Sequence, residues 1–95
     1  ADADDDQRPG FIVAHLKALE SARTQGADIR GYFHWSLVDN FEWGRGFGPR
    51  FGLLRVDYES PERTRSVTEG ARTLRDIIIE GRVTPEIEAR YPSAF

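Results

Sequence analysis

The fold of this chain is decided by residues 31–43, which read Gly31-Tyr32-Phe33-His34-Trp35-Ser36-Leu37-Val38-Asp39-Asn40-Phe41-Glu42-Trp43. The first half is apolar at consecutive positions, which is typical of a strand that is buried on both faces of a parallel sheet. The second half places Asp39 and Glu42 among aromatic side chains. Because a carboxylate packed against aromatic rings is costly to desolvate without a partner, this corner indicates a ligand-binding site.

The residue types of this corner favour a carbohydrate as the ligand. An indole face, here that of Trp35 or Trp43, stacks on the apolar face of a sugar ring while its N–H donates to a hydroxyl. A carboxylate accepts from two adjacent hydroxyls at once. Two alternatives stay open. Either the tryptophans are core residues and Asp39 and Glu42 are helix caps or ion pairs, or Asp39 and Glu42 form an acid–base pair for glycoside cleavage. We favour sugar recognition, since a spacing of three on a loop fixes no catalytic geometry.

Periodicity and turn residues predict three helices and two strands. We expect a helix at 6–25, a strand at 29–37, a Gly-rich loop at 38–50, a strand at 51–58, a helix at 66–80 and a short helix at 84–90. One of the aspartates at 4–6 is expected to cap the first helix, with Pro9 in its first turn. The run from Ser66 to Glu69 matches a capping box, and Gly81 is expected to end that helix.

These elements do not complete a hydrophobic core by themselves. A helix, a tight connection and a buried strand are the pattern of an α/β protein. A strand that is apolar on both faces needs a neighbour on each edge, and the remaining residues supply too few. We therefore expect the 95 residues to be a piece of a larger α/β domain that needs a complementary chain or segment. The start at Ala1-Asp2-Ala3 likewise indicates the interior of a longer protein.

Composition excludes several classes of function. The net charge is −3, with both signs interspersed, so the chain has no electrostatic footprint for nucleic acid or an anionic membrane. No apolar run approaches the ~20 residues of a membrane span. Cysteine is absent, which excludes disulfides and thiolate metal sites and fits a reducing compartment. We expect a cytoplasmic protein.

The remaining candidate motifs favour structural roles. His15 falls in the first helix and His34 in the strand, so we expect no metal site. A triad of Ser36, His34 and Asp39 is disfavoured because neighbours on one strand point to opposite faces. The glycines at 44–48 are not followed by the Lys-Ser/Thr of a phosphate loop. Four arginines are expected to be solvated or ion-paired: Arg50, Arg55, Arg63 and Arg65.

A family resemblance extends over essentially the whole chain. Residues 31–43 are followed by Gly46-Phe47 and by the run Arg50-Phe51-Gly52-Leu53-Leu54-Arg55-Val56-Asp57-Tyr58. Together these blocks resemble the C-terminal signature of glycoside hydrolase family 1. The first helix is similar to the family's penultimate helix, and the run at 81–88 resembles the tail of archaeal-type members.

The resemblance implies a retaining, β-glucosidase-like glycosidase on a (β/α)8 TIM barrel. Such an enzyme uses a nucleophilic Glu and an acid/base Glu whose carboxyls lie about 5–5.5 Å apart. The family carries them in Thr-Glu-Asn-Gly and Asn-Glu-Pro motifs, which this sequence lacks, so we expect no catalytic residue here. Residues 1–95 are then the C-terminal segment of one barrel domain, with the seventh helix, the eighth strand, its long loop and hairpin, and the eighth helix. A complementary N-terminal segment would supply the catalytic residues.

The resemblance also implies roles in substrate binding. Trp35 resembles the platform under the sugar in the −1 subsite, and Phe51 resembles the aromatic residue near the sugar's C6. Glu42 resembles the carboxylate that holds the 4- and 6-hydroxyls of the glycone. Trp43 resembles the indole that donates to the 3-hydroxyl.

Other implications concern the loop and the partners. Asp39 and Asn40 resemble residues that hold the loop. The sequence departs from the family after Tyr58, where Arg63-Thr64-Arg65-Ser66 lacks the Pro and Lys of the Arg-x-Pro-Lys-x-Ser found in many members. We expect a small-molecule glycoside substrate, no cofactor, and no nucleic-acid or membrane partner. The alternative is a non-catalytic carbohydrate-binding or structural fragment, which needs no catalytic glutamates in its assembly.

Overall fold

The computed structural model describes residues 6–92, which form three helices and one small sheet. In chain order the elements are α1 (Arg8–Thr24), a 3-10 turn (Trp43–Arg45), β1 (Leu54–Val56), β2 (Arg65–Val67), α2 (Glu69–Glu80) and α3 (Pro85–Arg90). The three predicted helices are therefore confirmed close to their predicted bounds. None of these helices combines the length and the apolar character that crossing a bilayer requires.

The core lies where the three helices meet. Its buried apolar side chains are Ile12, Val13, Ile77, Val83, Ile87 and Tyr91, with Leu16, Leu53 and Leu74 packed against them. Helical spacing places Ile12 and Leu16 on one stripe of α1, which packs toward α2. Ile78 and Ile79 on α2 are exposed, so they lie outside this core.

The start of α1 differs in one detail from the prediction. Pro9 lies in the first turn, as expected from the missing N–H of proline. The N-cap position is taken by Gln7, whose side chain makes no capping hydrogen bond. A cap from Asp6 is therefore wrong, and Asp4 and Asp5 lie outside the described residues.

Local hydrogen bonds set both ends of α2. The predicted capping box at Ser66 is wrong, because Ser66 pairs in β2 and the helix begins later. The Oγ1 of Thr68 instead accepts from the N–H of Ala71 at 3.1 Å. At the other end, Gly81 adopts a left-handed φ of 75° and ends the helix as predicted.

The predicted strand at 29–37 forms no ladder among the described residues. Backbone pairing begins only near its end, where the N–H of Leu53 donates to the carbonyl of Ser36 at 2.8 Å. Val38 and Leu54 then form an isolated parallel bridge. The strand prediction is wrong for this chain taken alone, because a ladder needs a neighbouring strand to pair with, and the sheet within residues 6–92 contains only β1 and β2.

The strand predicted at 51–58 is confirmed only at its centre. β1 and β2 are antiparallel, and the register pairs Leu54 with Val67, Arg55 with Ser66 and Val56 with Arg65. Phe51 and Leu53 pair instead with the backbone of Ser36, and the N–H of Gly52 donates to the side chain of Asp39. The hairpin is therefore shorter than the apolar pattern indicates.

The apolar side chains of residues 33–37 are left uncovered. Phe33 is 97% exposed, and Trp35 and Leu37 are each 68% exposed. Burial of a large apolar side chain is worth roughly 1.5–3 kcal/mol, so each one left in water forfeits that stabilisation. The segment whose pattern predicts burial thus lacks a cover among residues 6–92, as expected of a piece of a larger α/β domain.

A polar cluster links the end of α3 to α2. Asp76 accepts hydrogen bonds from Nη1 of Arg90 at 2.7 Å and from the hydroxyl of Tyr91 at 2.9 Å. Hydrogen bonds from Arg75 hold the pKa of Asp76 below its ordinary value, and those from Tyr91 and Arg90 add to this effect while burial opposes it. The cluster therefore favours the ionised carboxylate.

Candidate functional site

Asp39 lies at the base of the loop that follows the predicted strand. It is buried, at 6% exposure. Its Oδ1 accepts from the N–H of Gly52 at 2.9 Å, and its Oδ2 accepts from the N–H of Val56 at 3.1 Å. The same Oδ2 lies 2.7 Å from Nη1 of Arg50. One buried carboxylate thus joins three points of the segment 50–56, and these partners are what make its burial tolerable.

Arg8 holds the same segment from the side of α1. The side chain is buried, and its Nη1 donates to the carbonyl of Gly52 at 2.9 Å while its Nη2 donates to the carbonyl of Arg50 at 2.5 Å. Arg8 is the first residue of α1, so this clamp fixes residues 50–52 relative to that helix. Sequence reasoning assigned Arg8 no role. The sequence feature that could have indicated a role is the position of Arg8 beside Pro9, at the start of the apolar face of the helix.

Asn40 closes the beginning of the loop. Its Nδ2 donates to the Oγ of Ser36 at 3.0 Å and to the carbonyl of Val38 at 2.9 Å. The hydroxyl of Ser36 donates to that same carbonyl at 2.9 Å. Ser36 is therefore engaged with the loop rather than with His34 or Asp39, which agrees with the prediction against a triad. The geometry fits the loop-holding role that the resemblance implies for Asp39 and Asn40.

Glu42 and Trp43 occupy the tip of the loop. The N–H of Glu42 donates to the carbonyl of Gly46 at 2.7 Å, so the tip closes on itself. Trp43 begins the 3-10 turn at a φ of 49°, a left-handed value that a bulky residue adopts only when its surroundings impose it, and is 84% exposed. The Oε1 of Glu42 is buried and has no hydrogen-bond partner among residues 6–92.

This tip can accept a hydrogen bond from a bound molecule. A buried oxygen without a donor costs about 1–3 kcal/mol, and more when the group is charged, so a donor that reaches it gains that free energy. The hydroxyl groups of a sugar are donors of the right kind. The exposed indole of Trp43 beside it offers an apolar face and one N–H.

An aromatic cluster, formed by Phe41, Phe47 and Tyr58, lies behind the tip. The ring centroids of Phe41 and Phe47 are 5.3 Å apart in an edge-to-face arrangement, and those of Phe47 and Tyr58 are 4.8 Å apart. The guanidinium of Arg50 lies 4.7 Å from the centroid of the Tyr58 ring. Each aromatic pair of this kind is worth about 0.5–1.5 kcal/mol beyond its burial, so the cluster stiffens the loop.

Trp35 and Phe51 line a cavity of about 630 Å³ beside α1. The peptide bond between Trp35 and Ser36 is cis. Within the described part of the chain, Glu42 and Trp43 do not line this cavity. The structure therefore brings together two of the four predicted substrate-binding residues in one cavity, and places the other two side by side at the loop tip.

His34 is half-buried in the wall of this cavity. Burial lowers the pKa of His34, the positive charge of Arg8 lowers it further, and a hydrogen bond with the backbone of Phe51 opposes both. Its Nε2 has no hydrogen-bond partner in the range 6–92. Over that same range, no three His, Asp or Glu side chains lie close enough together to hold a metal ion.

Sequence reasoning missed the positions of Arg50 and Tyr58 in this site. Arg50 is expected from the sequence to be either solvated or ion-paired, and in the structure it is ion-paired with Asp39. Its side chain is only 19% exposed. No local pattern separates it from the exposed Arg55, because its partner Asp39 lies eleven positions earlier and meets it only when the loop closes.

The motif and the geometry agree with one known class of protein. A sequence model of glycosyl hydrolase family 1 matches residues 1–82 of this chain. The chain therefore belongs to glycosyl hydrolase family 1, and the resemblance carried by residues 31–43 and 50–58 is confirmed.

Curated relatives within this family are named as glycosidases. The chain is similar to the beta-galactosidase of Saccharolobus solfataricus, with 47% identity over 88 residues, which is 93% of this chain and 18% of the relative. It is also similar to the bifunctional beta-D-glucosidase/beta-D-fucosidase of Bifidobacterium breve, with 52% identity over 61 residues, which is 64% of this chain and 13% of the relative.

Solved structures of glycosidases share this arrangement. The chain superposes on the hyperthermophilic beta-glucosidase from Pyrococcus furiosus with a TM-score of 0.88 and 43% identity, covering 97% of this chain and 19% of that one. For the beta-glycosidase from Pyrococcus horikoshii the TM-score is 0.85 at 42% identity, covering 94% of this chain and 21% of that one. The chain thus spans about a fifth of these TIM-barrel enzymes and is a partial piece of their fold.

Proposed function

We propose that this chain is the C-terminal part of a retaining β-glycosidase that hydrolyses terminal β-linked sugars in a β-glucosidase-like manner. Residues 1–95 would be one segment of a single barrel domain. In this proposal α1 is the seventh helix, residues 29–37 are the eighth strand, the loop and hairpin follow, and α2 is the eighth helix. Family membership and the names of the relatives support this function.

The segment would supply the glycone-binding subsite. The observation that carries this proposal is the buried Oε1 of Glu42, which lacks a hydrogen-bond donor among residues 6–92. A carboxylate held at a closed loop tip presents two acceptor oxygens, and two neighbouring sugar hydroxyls satisfy both at once. We assign to Glu42 the 4- and 6-hydroxyls of the glycone.

The aromatic residues would complete the subsite. The indole of Trp43 lies next to Glu42 in the chain and is 84% exposed, so its N–H is free to meet the 3-hydroxyl. Trp35 and Phe51 line one cavity, where we place the flat side of the sugar and its C6 end. An aromatic face covers the apolar side of a pyranose while the hydroxyls at its rim reach the polar groups.

A complementary N-terminal segment would carry both catalytic glutamates. Neither family motif for them occurs in this sequence, and the exposed side chains of Phe33, Trp35 and Leu37 offer an apolar face for that segment to cover. On the complete barrel one Glu would form a glycosyl-enzyme and the other would act as acid and then as base. Glycone contacts that tighten as the sugar ring approaches its oxocarbenium-like transition state would raise the rate.

A chimera tests this proposal. In this chimera, the part of this chain that aligns with the Saccharolobus solfataricus beta-galactosidase over 88 residues replaces the corresponding part of that relative. The expected result is a folded protein that hydrolyses a nitrophenyl β-glucoside or β-galactoside. The unmodified relative serves as the control for expression and assay conditions. A chimera that folds like the relative and yet hydrolyses neither substrate would contradict the proposal.

The second candidate function is a non-catalytic carbohydrate-binding or structural fragment. The exposed indole of Trp43 favours this second function, because a single indole suffices for weak sugar binding. The two candidates differ in the assembly: only a glycosidase needs a partner segment with catalytic glutamates. An inactive chimera that still binds a sugar in calorimetry would favour this second function.

A further inference from the structure

We propose that Arg50 is a positioning residue of the glycone subsite: it holds the loop at 38–50 so that the carboxylate of Glu42 meets the sugar. This inference rests on the proposed function and adds a residue that touches no substrate. Two independent sets of contacts carry it, one at the base of the loop and one along its inner side.

At the base, Arg50 joins the two ends of the loop. Its Nη1 lies 2.7 Å from the Oδ2 of Asp39, near the start of the loop, and donates to the carbonyl of Val56 at 2.7 Å. Both partners are buried, and the arginine side chain is only 19% exposed. An ion pair in such surroundings is weakly screened by solvent, so its geometry is defined rather than averaged over many rotamers.

Along the inner side, Arg50 supports the aromatic cluster of Phe41, Phe47 and Tyr58. Its guanidinium lies 4.7 Å from the centroid of Tyr58, which packs on Phe47, which packs on Phe41. Phe41 directly precedes Glu42 in the chain. A continuous set of contacts therefore leads from the guanidinium to the residue beside the sugar-binding carboxylate.

The charges of both acidic groups of the loop affect the pKa of Tyr58. Burial raises the pKa of Tyr58, and the charge of Asp39 raises it further against the opposing charge of Arg50. The charge of Glu42 contributes a smaller increase. Tyr58 thus senses the charges of Asp39, Arg50 and Glu42, in keeping with its position on the guanidinium of Arg50.

The geometry requires arginine rather than a simple positive charge. A planar guanidinium can donate in its plane to Asp39 and to Val56 while its face lies on the ring of Tyr58. The ammonium of lysine can keep the attraction to Asp39 but cannot make the stacked contact. Arg50→Lys is therefore expected to keep the fold and loosen the loop tip.

A double-mutant cycle in the chimera tests this inference. Arg50→Lys should lower kcat/KM for a β-glucoside by about tenfold when Glu42 is present. In the Glu42→Gln background the same change should cost less than about twofold, because the contact that it positions is already lost. Arg72→Lys on α2, where the arginine is exposed and paired with Glu69, is the matched control and should leave kcat/KM unchanged.

An equal loss from Arg50→Lys in both backgrounds would overturn the inference, since a merely structural arginine acts independently of Glu42. If Glu42→Gln alone had no effect on kcat/KM, the proposed sugar-binding role of Glu42 would be contradicted. That result differs from equal losses in both backgrounds, so failure of the proposed function and failure of this inference can be distinguished. Should Arg50→Lys not fold, Tyr58→Leu replaces it in the cycle, since it keeps the ion pair with Asp39 and removes the stacked ring. Equal losses from Tyr58→Leu in both backgrounds would overturn the inference in the same way.

Discussion

The backbone N–H of Gly52 donates a 2.9 Å hydrogen bond to the buried carboxylate of Asp39. A Cβ at position 52 would lie 2.5 Å from the carbonyl oxygen of Leu54 and closer still to the backbone nitrogen of Asp39. The approach of the two segments therefore requires a residue without a side chain. This contact sets the register between the start of the loop and the strand that returns from it.

The first prediction concerns Gly52→Ala in the chimera. Backbone atoms on several sides leave the new methyl group no flexible neighbour to displace, so we expect destabilisation at or above the upper end of the usual ~1–3 kcal/mol for overpacking. Thermal unfolding measures it. Gly44→Ala is the control, because no atom lies within 4 Å of a Cβ built there. Similar midpoints for the two variants would contradict the contact between Asp39 and Gly52.

The second prediction compares two ion pairs. Asp39→Asn leaves a mostly buried Arg50 without its counter-charge, and we expect a loss of about 3–5 kcal/mol in the free energy of unfolding. Asp28 and Arg30 form a pair whose side chains are 75% and 85% exposed, so Asp28→Asn should cost less than about 1 kcal/mol. Denaturant unfolding of both chimera variants provides the comparison. Equal losses in the free energy of unfolding would show that burial does not determine how much each ion pair stabilises the fold.

The third prediction concerns acid stability. Hydrogen bonds from Arg75, Tyr91 and Arg90 lower the pKa of Asp76 in the folded state, so the unfolded state binds the proton more readily. The stabilisation is present above the ordinary carboxyl value of 3.8 and is lost as the pH falls through the lowered folded pKa.

This acid dependence can be isolated by substitution. Asp76→Asn should flatten the decline in the free energy of unfolding between about pH 6 and pH 2, and should destabilise the protein at neutral pH. Denaturant melts across this range provide the measurement, with Asp28→Asn as the control. An unchanged slope for Asp76→Asn would mean that other carboxylates cause the acid dependence.

The fourth prediction concerns the chain by itself. Phe33 at 97% exposure, with Trp35 and Leu37 at 68%, forms an apolar face that needs a cover, so the isolated chain should be molten or aggregated. We expect weak near-ultraviolet circular dichroism and a broad thermal transition, whereas the chimera should melt cooperatively. A cooperative two-state melt of the isolated monomer would contradict the need for a complementary segment.

The helices could be predicted from the sequence because their signals are local. Apolar residues such as Ile12 and Leu16 recur at helical spacing, and Pro9 and Gly81 mark the ends. The capping box at Ser66 failed because the pairing of residues 65–67 with β1 takes precedence over a local match. That competition depends on a contact between separate segments, which a local motif does not contain.

The strand and the site were less predictable for the same physical reason. The apolar run at 29–37 indicates a segment built for burial, but a ladder needs neighbouring strands that residues 6–92 do not provide. The clamp of Arg8 and the pairing of Arg50 with Asp39 both join residues far apart in the chain. The residue types alone suggest Glu42 and the tryptophans as candidate ligand-binding residues, which stays a prediction, whereas the contacts of Arg8 and Arg50 became visible only in the folded loop.

The fifth prediction addresses the glycone subsite. Glu42→Gln keeps the shape of the side chain and removes its charge, so hydrogen bonds from sugar hydroxyls lose their charged acceptor. Such a bond is worth about 1.5–3 kcal/mol, which corresponds to a loss of roughly tenfold to a hundredfold in kcat/KM. Glu59→Gln is the matched control, because Glu59 is exposed and lies on the turn beyond Tyr58.

The most direct test is therefore kcat/KM of the chimera for a β-glucoside, measured for the parent, Glu42→Gln and Glu59→Gln at equal folded concentration. We expect a fall of at least about tenfold for Glu42→Gln and no change for Glu59→Gln. Equal values for all three proteins would contradict the claim that this loop binds the glycone.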